Sequence, residues 1–236
     1  MLTHRPFRAV AVLVSAVLML TGCSLIPDEK PAPQPTAQAD PTVAPMPFNS
    51  EFSRDGTFQS HILIDGIDFV YTFWAAKTTP RMAEWHPKGD KYFSMSFQGY
   101  DTRRRLRDPF RTKRLVWLER VQVTSQTSTS SSTTESPYNL DEWAPDITFD
   151  PQARTRGRMG MLITSPKGAF ELRNQVIKDM ADDTEGITLN LRAVVHIQAR
   201  AGAKRYVKRE VTLQLPIAIF ESKYATSPQP VPYNAS

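Results

Sequence analysis

Apolar and polar residues alternate with a period of two over much of the segment between residues 57 and 219. Phe58, Ser60, Ile62 and Ile64 alternate with Gln59, His61, Leu63 and Asp65, and after Gly66 the run resumes with Ile67, Phe69, Tyr71 and Phe73. Two such runs around Asp65-Gly66 predict a β-hairpin, because a type I′ turn needs positive φ at both central positions. Lys91 to Gln98 predicts a strand with Phe93, Met95 and Phe97 on one face, and Leu115, Trp117, Val121 and Val123 mark another, interrupted by Glu119. The longest alternation runs from Ile187 through Leu189, Leu191, Ala193, Val195 and Ile197 to Ala199. It returns after Ala201-Gly202-Ala203 as Val207, Val211, Leu213, Leu215, Ile217 and Ile219. These read as two long antiparallel strands with one buried and one wet face. Pro216 lacks a ladder donor, so the last strand ends there or lies at an edge.

One segment follows a different period. Ser165-Pro166 offers an N-cap and a first-turn proline, and Ala169, Leu172, Val176, Ile177 and Met180 fall on one side at helical spacing before Gly186. A helix packed on a sheet is predicted there. Residues 124–136, almost wholly serine and threonine, read as a solvated loop. The proline-bearing tail 222–236 reads as flexible. The expected fold is mainly β, an antiparallel β-sandwich-like domain over residues 51–221 carrying one packed α-helix.

The N-terminal 50 residues are of another kind. Arg5 and Arg8 precede an apolar run from Ala9 to Leu20, and Leu20-Thr21-Gly22-Cys23 follows. A twelve-residue run is shorter than the roughly 20 needed to span a bilayer, and the whole has the anatomy of a secretory signal. The four residues match the lipobox, so the N-terminus resembles that of a bacterial lipoprotein precursor. That resemblance implies a signal peptide at 1–22, cleavage after Gly22, and lipidation of Cys23 by diacylglyceryl and palmitate-type acyl chains. Ser24, where an aspartate would favour inner-membrane retention, implies the outer membrane with a periplasmic domain, or the cell membrane if the source has only one. Seven prolines between Pro27 and Pro47 make 23–50 a polyproline-rich tether. At roughly 3.1 Å per residue it reaches about 80 Å.

Charge and composition then narrow the chemistry. Loss of Arg5 and Arg8 takes the formal charge from +5 to +3, so the mature chain is only mildly basic. Cys23 is the only cysteine, and its acylation would leave no thiol for a disulfide, a metal or nucleophilic catalysis. His61, His86 and His196 show no metal-ligand spacing, so no metal and no cofactor is expected. Glu84, His86 and Asp90 read as a polar turn. No Gly-x-Ser-x-Gly elbow is present. Asp141, Glu142, Asp146 and Asp150 could furnish a carboxylate pair, but spacing alone does not set the required separation, and an acidic loop is the favoured reading.

The strongest remaining signal is basic. Arg103, Arg104, Arg105, Arg107, Arg111, Lys113 and Arg114 fall within twelve residues, and clustered guanidiniums suit carboxylates and phosphates. Lys204, Arg205, Lys208 and Arg209 at the tip of the C-terminal hairpin are placed to join them. Trp85 and Trp143, both in expected loops, are candidates for stacking on a glycan or anchoring a protein interface. Three functions stand in descending order: a non-enzymatic, lipid-anchored protein-binding or assembly subunit of the cell envelope; a glycan- or peptidoglycan-binding lipoprotein; and a polysaccharide hydrolase. The expected partners are the membrane, through the lipid, and an envelope protein, with a glycan as the alternative. Nucleic acid is not expected for an exported protein.

Overall fold

The computed structural model describes Phe48, residues 50–75 and residues 85–222. The signal segment, Cys23, nearly all of the tether, Glu84 and the tail beyond Ser222 lie outside the described residues. The described chain folds into two antiparallel sheets. One orders its strands β1 (Thr57–Ile64), β2 (Ile67–Ala75), β3 (Lys91–Asp101) and β7 (Phe170–Ile177). The other orders β5 (Asn139–Trp143), β4 (Val116–Thr129), β8 (Thr184–Gln198) and β9 (Tyr206–Ala218), with β6 (Met161–Leu162) added beside β4. Two short helices accompany them, α1 (Glu51–Asp55) and α2 (Ala144–Ile147).

The inner faces meet in a single core, where Phe69, Tyr71, Phe73, Phe93 and Phe97 from the first sheet lie with Val121, Val123, Leu189, Leu191, Val195 and Leu215 from the second. Tyr71 and Phe97 stack with centroids 4.2 Å apart, and the Tyr71 hydroxyl donates across the sandwich to Val211 O at 3.2 Å. Burial raises the pKa of this phenol well above its ordinary value.

The fold is the expected antiparallel sandwich, and several elements lie where alternation puts them. Asp65 and Gly66 adopt φ of 53° and 76° and join β1 to β2 with Ile64 opposite Ile67. This is the I′ arrangement expected of Asp-Gly. β9 is an edge strand, as Pro216 requires.

Two readings are corrected. Residues 166–180 form no helix; their centre is β7, paired with β3. Phe170 and Leu172 point into the core in strand alternation. The left-handed Asn174 (φ 52°) then coincides with a register shift, which moves the next core contact to Ile177. A strand interrupted in this way mimics helical spacing. The Ser/Thr tract is likewise not a loop throughout, since β4 continues to Thr129 with Ser125, Thr127 and Thr129 buried. Their hydroxyls are satisfied by the returning chain: Ser125 Oγ donates to Tyr138 O at 2.8 Å and Thr129 Oγ1 to Thr133 O.

A second irregularity explains the interruption at Glu119. The register slips between Leu118 and Arg120, so Val116 and Leu118 face inward before the bulge and Val121 and Val123 after it. Gly160 packs against this bulge at φ 89°, and a Cβ there would lie 1.7 Å from Leu118 O. Gly157→Ala meets open space despite its φ of 45° and should cost about 1 kcal/mol. Gly160→Ala should cost about 3 kcal/mol or more. Paired denaturant melts check the difference; equal losses would show that the bulge does not need the close approach.

Candidate functional site

The basic run is built at one end of the sandwich. There the β1–β2 turn, the β3–β4 connection and the β8–β9 turn come together, because Ile67 pairs with Asp101, Val116 with Ile197, and Gln198 with Tyr206. The run is a turn-rich connection. Lys113 and Arg114, expected among the exposed cations, are each 4% exposed and committed internally.

Arg114 donates through Nε and Nη2 to Asp101 Oδ1 at 3.2 and 2.8 Å, while its backbone N–H reaches Oδ2 at 2.9 Å. Its remaining donors bond Asp65 O at 2.8 Å and Gly66 O at 2.7 Å. Lys113 Nζ donates to Leu106 O at 2.8 Å. Asp108 accepts from the Arg105 N–H, and Asp101 Oδ1 from that of Arg103. These bonds hold Arg103, Arg104, Arg105, Arg107 and Arg111 on the exposed side of a braced loop. Leu106 stands among them, 62% exposed.

The hairpin cations join this surface in part. Gln198 accepts from the Leu115 N–H at 3.0 Å and donates to Ala203 O at 2.7 Å, stapling the β8–β9 turn to the start of β4. Arg103, Arg205 and Arg209 thus border one cavity of about 250 Å³ with Asp65, and Arg209 pairs with Asp65 at 2.8 Å. Lys208 turns to the outer sheet face, where Glu119 bonds it and His196 at 2.9 and 2.6 Å. Burial pushes the Glu119 carboxyl up, and these two partners more than offset it, holding it below the usual carboxylate range. Sequence reading missed Arg154, which shares a second cavity with Phe110, Arg111 and Gly202, and Lys167, whose Nζ lies 5.2 Å from the Phe110 ring centre. The Arg154, Arg156 and Arg158 alternation was visible, but nothing local tied it to residues 103–111.

The opposite end is acidic. Asp90, Glu135, Asp179, Asp182, Asp183, Glu185 and Glu221 lie there, with Lys88 pairing Asp182 and Lys178 pairing Asp90. Lys91 at that end is fully buried, and its Nζ donates to His86 O, Pro87 O and Gly89 O at 3.1, 3.1 and 2.6 Å. Desolvation lowers its pKa to about 8 against the opposing pull of Asp179 and Asp90.

The two candidate tryptophans part company. Trp85 is fully buried, edge-on to Phe52 with centroids 5.6 Å apart, so its reading as a surface contact is corrected. Trp143 is half-buried at the end of β5, on the same face as Asn139 and Asp141. Across that face run the rows Asp141–Gln122–Arg192–Thr212 and Asn139–Thr124–Asn190–Gln214. Together with Ile62, Leu140, Leu191 and Leu213 they border a depression of about 790 Å³, which Trp143 does not line.

The histidines are dispersed. His61 bonds Asp68 at 2.8 Å, His86 bonds Phe220 O at 3.0 Å, and His196 bonds Glu119. Asp141 pairs with Arg120, whose hydrogen bond lowers the carboxyl's pKa, while Glu142, Asp146 and Asp150 are exposed. Among the described residues no group of three or more His, Cys, Asp or Glu is placed to hold a metal ion, and no helix is long and apolar enough to cross a membrane. Comparison with protein-family models and with curated proteins finds no match.

The Asp101–Arg114 pair makes a pH-dependent contribution that can be tested. Burial pushes the Asp101 carboxyl up, but the hydrogen bonds and charge of Arg114 hold it below the ordinary carboxylate range. A carboxyl whose folded pKa is depressed stabilises the fold above its unfolded pKa of about 4, and that stability is lost as pH falls toward the folded value. Arg114→Met should cost about 3–5 kcal/mol at pH 7. The penalty should shrink toward pH 4, where the stranded carboxyl protonates. Denaturant titrations at both pH values measure it, and a penalty independent of pH would refute the assignment.

Proposed function

We propose that this chain is a lipid-anchored protein of the bacterial cell envelope, sorted to the outer membrane. Its β-sandwich acts there as a non-enzymatic binding or accessory subunit that docks an acidic protein partner through the arginine-rich end. The anchoring rests on Leu20-Thr21-Gly22-Cys23 and the proline-rich segment after it. The docking rests on one observation: five exposed arginines and Leu106 are displayed by a loop that buried Arg114 and Lys113 hold in place. Pre-bracing lowers the ordering cost of association. The guanidiniums can each grip a carboxylate with two parallel bonds, and Leu106 supplies an apolar contact among them.

A second reading is favoured by the depression on the outer sheet face. Asparagine, glutamine, aspartate, threonine and arginine side chains in two rows, with Trp143 at the next position along the same face of β5, are the donor and acceptor set that sugar hydroxyls use. Retention of the protein on purified peptidoglycan, abolished by Trp143→Ala, would favour that reading over the first.

Labelled palmitate should appear on the wild-type chain and be lost from Cys23→Ala; label persisting on the variant would end the lipoprotein assignment. For docking, a photo-crosslinking residue in place of Leu106 should give one reproducible protein adduct in intact cells. Combined Arg104→Glu, Arg105→Glu and Arg107→Glu should weaken that adduct by about tenfold or more. An adduct indifferent to charge reversal would show that the arginines are only a solvated surface.

A further inference from the structure

The four sheet edges are not treated alike. β9 bears the exposed run Lys208, Arg209 and Glu210 and also Pro216, β5 is five residues long and acidic, and β7 is broken by the left-handed Asn174. Each of these features discourages the addition of another strand. β1, Thr-Phe-Gln-Ser-His-Ile-Leu-Ile, has none of them: eight residues without proline, lysine, arginine, aspartate or glutamate. Among the described residues β1 pairs only with β2.

The two-residue turn makes Ile64 and Ile67 a hydrogen-bonded pair, so Ile62, Ser60 and Phe58 also bond β2. The N–H and C=O groups of Gln59, His61 and Leu63 therefore point to the open side. Those residues are exposed, Leu63 by 68%, while Phe58 and Ile62 are only partly covered at the rim of the core.

We infer that β1 is a self-association edge, on which β1 of a second copy adds antiparallel to make one continuous eight-stranded sheet. Two features select a second copy. The strand has no Lys, Arg, Asp or Glu, so pairing with itself brings no like fixed charges together. The body is also polarised, basic where β1 ends and acidic where it begins, with Glu51 and Asp55 on the helix just before it. Antiparallel addition sets the basic end of each copy beside the acidic end of the other, whereas parallel addition would set like ends together.

The register that centres on Ser60 places Phe58 against Ile62 of the second copy and Gln59 against His61. It sets the two Ser60 residues opposite each other in a non-hydrogen-bonded pair, about 4.5 Å apart at Cα. That distance suits a disulfide.

The test uses the full chain carrying Cys23→Ala. Sedimentation should show a concentration-dependent dimer that weakens as salt is raised. Ser60→Cys should form a disulfide-linked dimer on mild oxidation, and Ser130→Cys, at the acidic end, should not. Gln59→Pro removes one open-side donor per copy and should weaken self-association by about tenfold. His61→Lys, which adds an edge charge without touching the backbone, should act in the same direction and covers the case in which the proline variant fails to fold. A chain that stays monomeric at all concentrations, or a dimer in which Ser60→Cys links no better than Ser130→Cys, overturns the inference. Neither result bears on docking by the arginine-rich loop, because the substitutions at residues 59, 60, 61 and 130 leave residues 101–114 unchanged.

Discussion

Arg114 is the side chain on which the basic end depends. A buried guanidinium is costly unless each of its donors is met, and here they meet one carboxylate and two turn carbonyls. In doing so Arg114 ties the β1–β2 turn, the end of β3 and the start of β4 into one unit. The loop between Asp101 and Arg114 is long and polar, and this knot fixes both of its ends while the Lys113–Leu106 and Arg105–Asp108 bonds brace its interior. A charge-rich run thus divides its labour: two cations are spent inside so that five can be presented outside.

What was legible in the chain, and what was not, follows one physical line. Alternation reveals a strand only while the strand stays regular. The Asp65-Gly66 hairpin and the pair β8 and β9 are unbroken over their lengths, and their buried faces could be read residue by residue. Where the backbone slips, the same signal misleads. One extra residue at Glu119 moves the core from even to odd positions, so the odd-numbered pattern that holds at Val121 and Val123 fails at Trp117, and Val116 and Leu118 occupy the inner face. A slip at Asn174 turned strand β7 into an apparent helix. In the Ser/Thr tract the inward positions are hydroxyls bonded to a returning backbone, a partner no hydropathy pattern announces.

The candidate site was legible in kind but not in detail. Clustering of arginines showed that an anionic contact was chemically available. Which of them face water depended on a carboxylate thirteen residues upstream of Arg114 and on turn carbonyls in a separate hairpin. Trp85 shows the converse: surrounded in sequence by polar residues and prolines, it is nonetheless sealed in the core by Phe52.

Net charge is the quantity that misinforms most. A formal +5 over the whole chain suggests a weakly and evenly basic surface. The fifteen residues of β8 extend about 50 Å at roughly 3.3 Å each, and the arginine-rich loop and the acidic cluster lie at opposite ends of that axis. The Debye length at physiological ionic strength is about 8 Å, so an approaching molecule feels one end and not the sum. Phe48 and Ser222, the first and last described residues, both lie at the acidic end, where the Phe48 ring packs against Gly186, Ser53 Oγ accepts from the Ala218 N–H and the Phe220 N–H reaches Trp85 O. The arginine-rich end is therefore the end of the body remote from both Phe48 and Ser222.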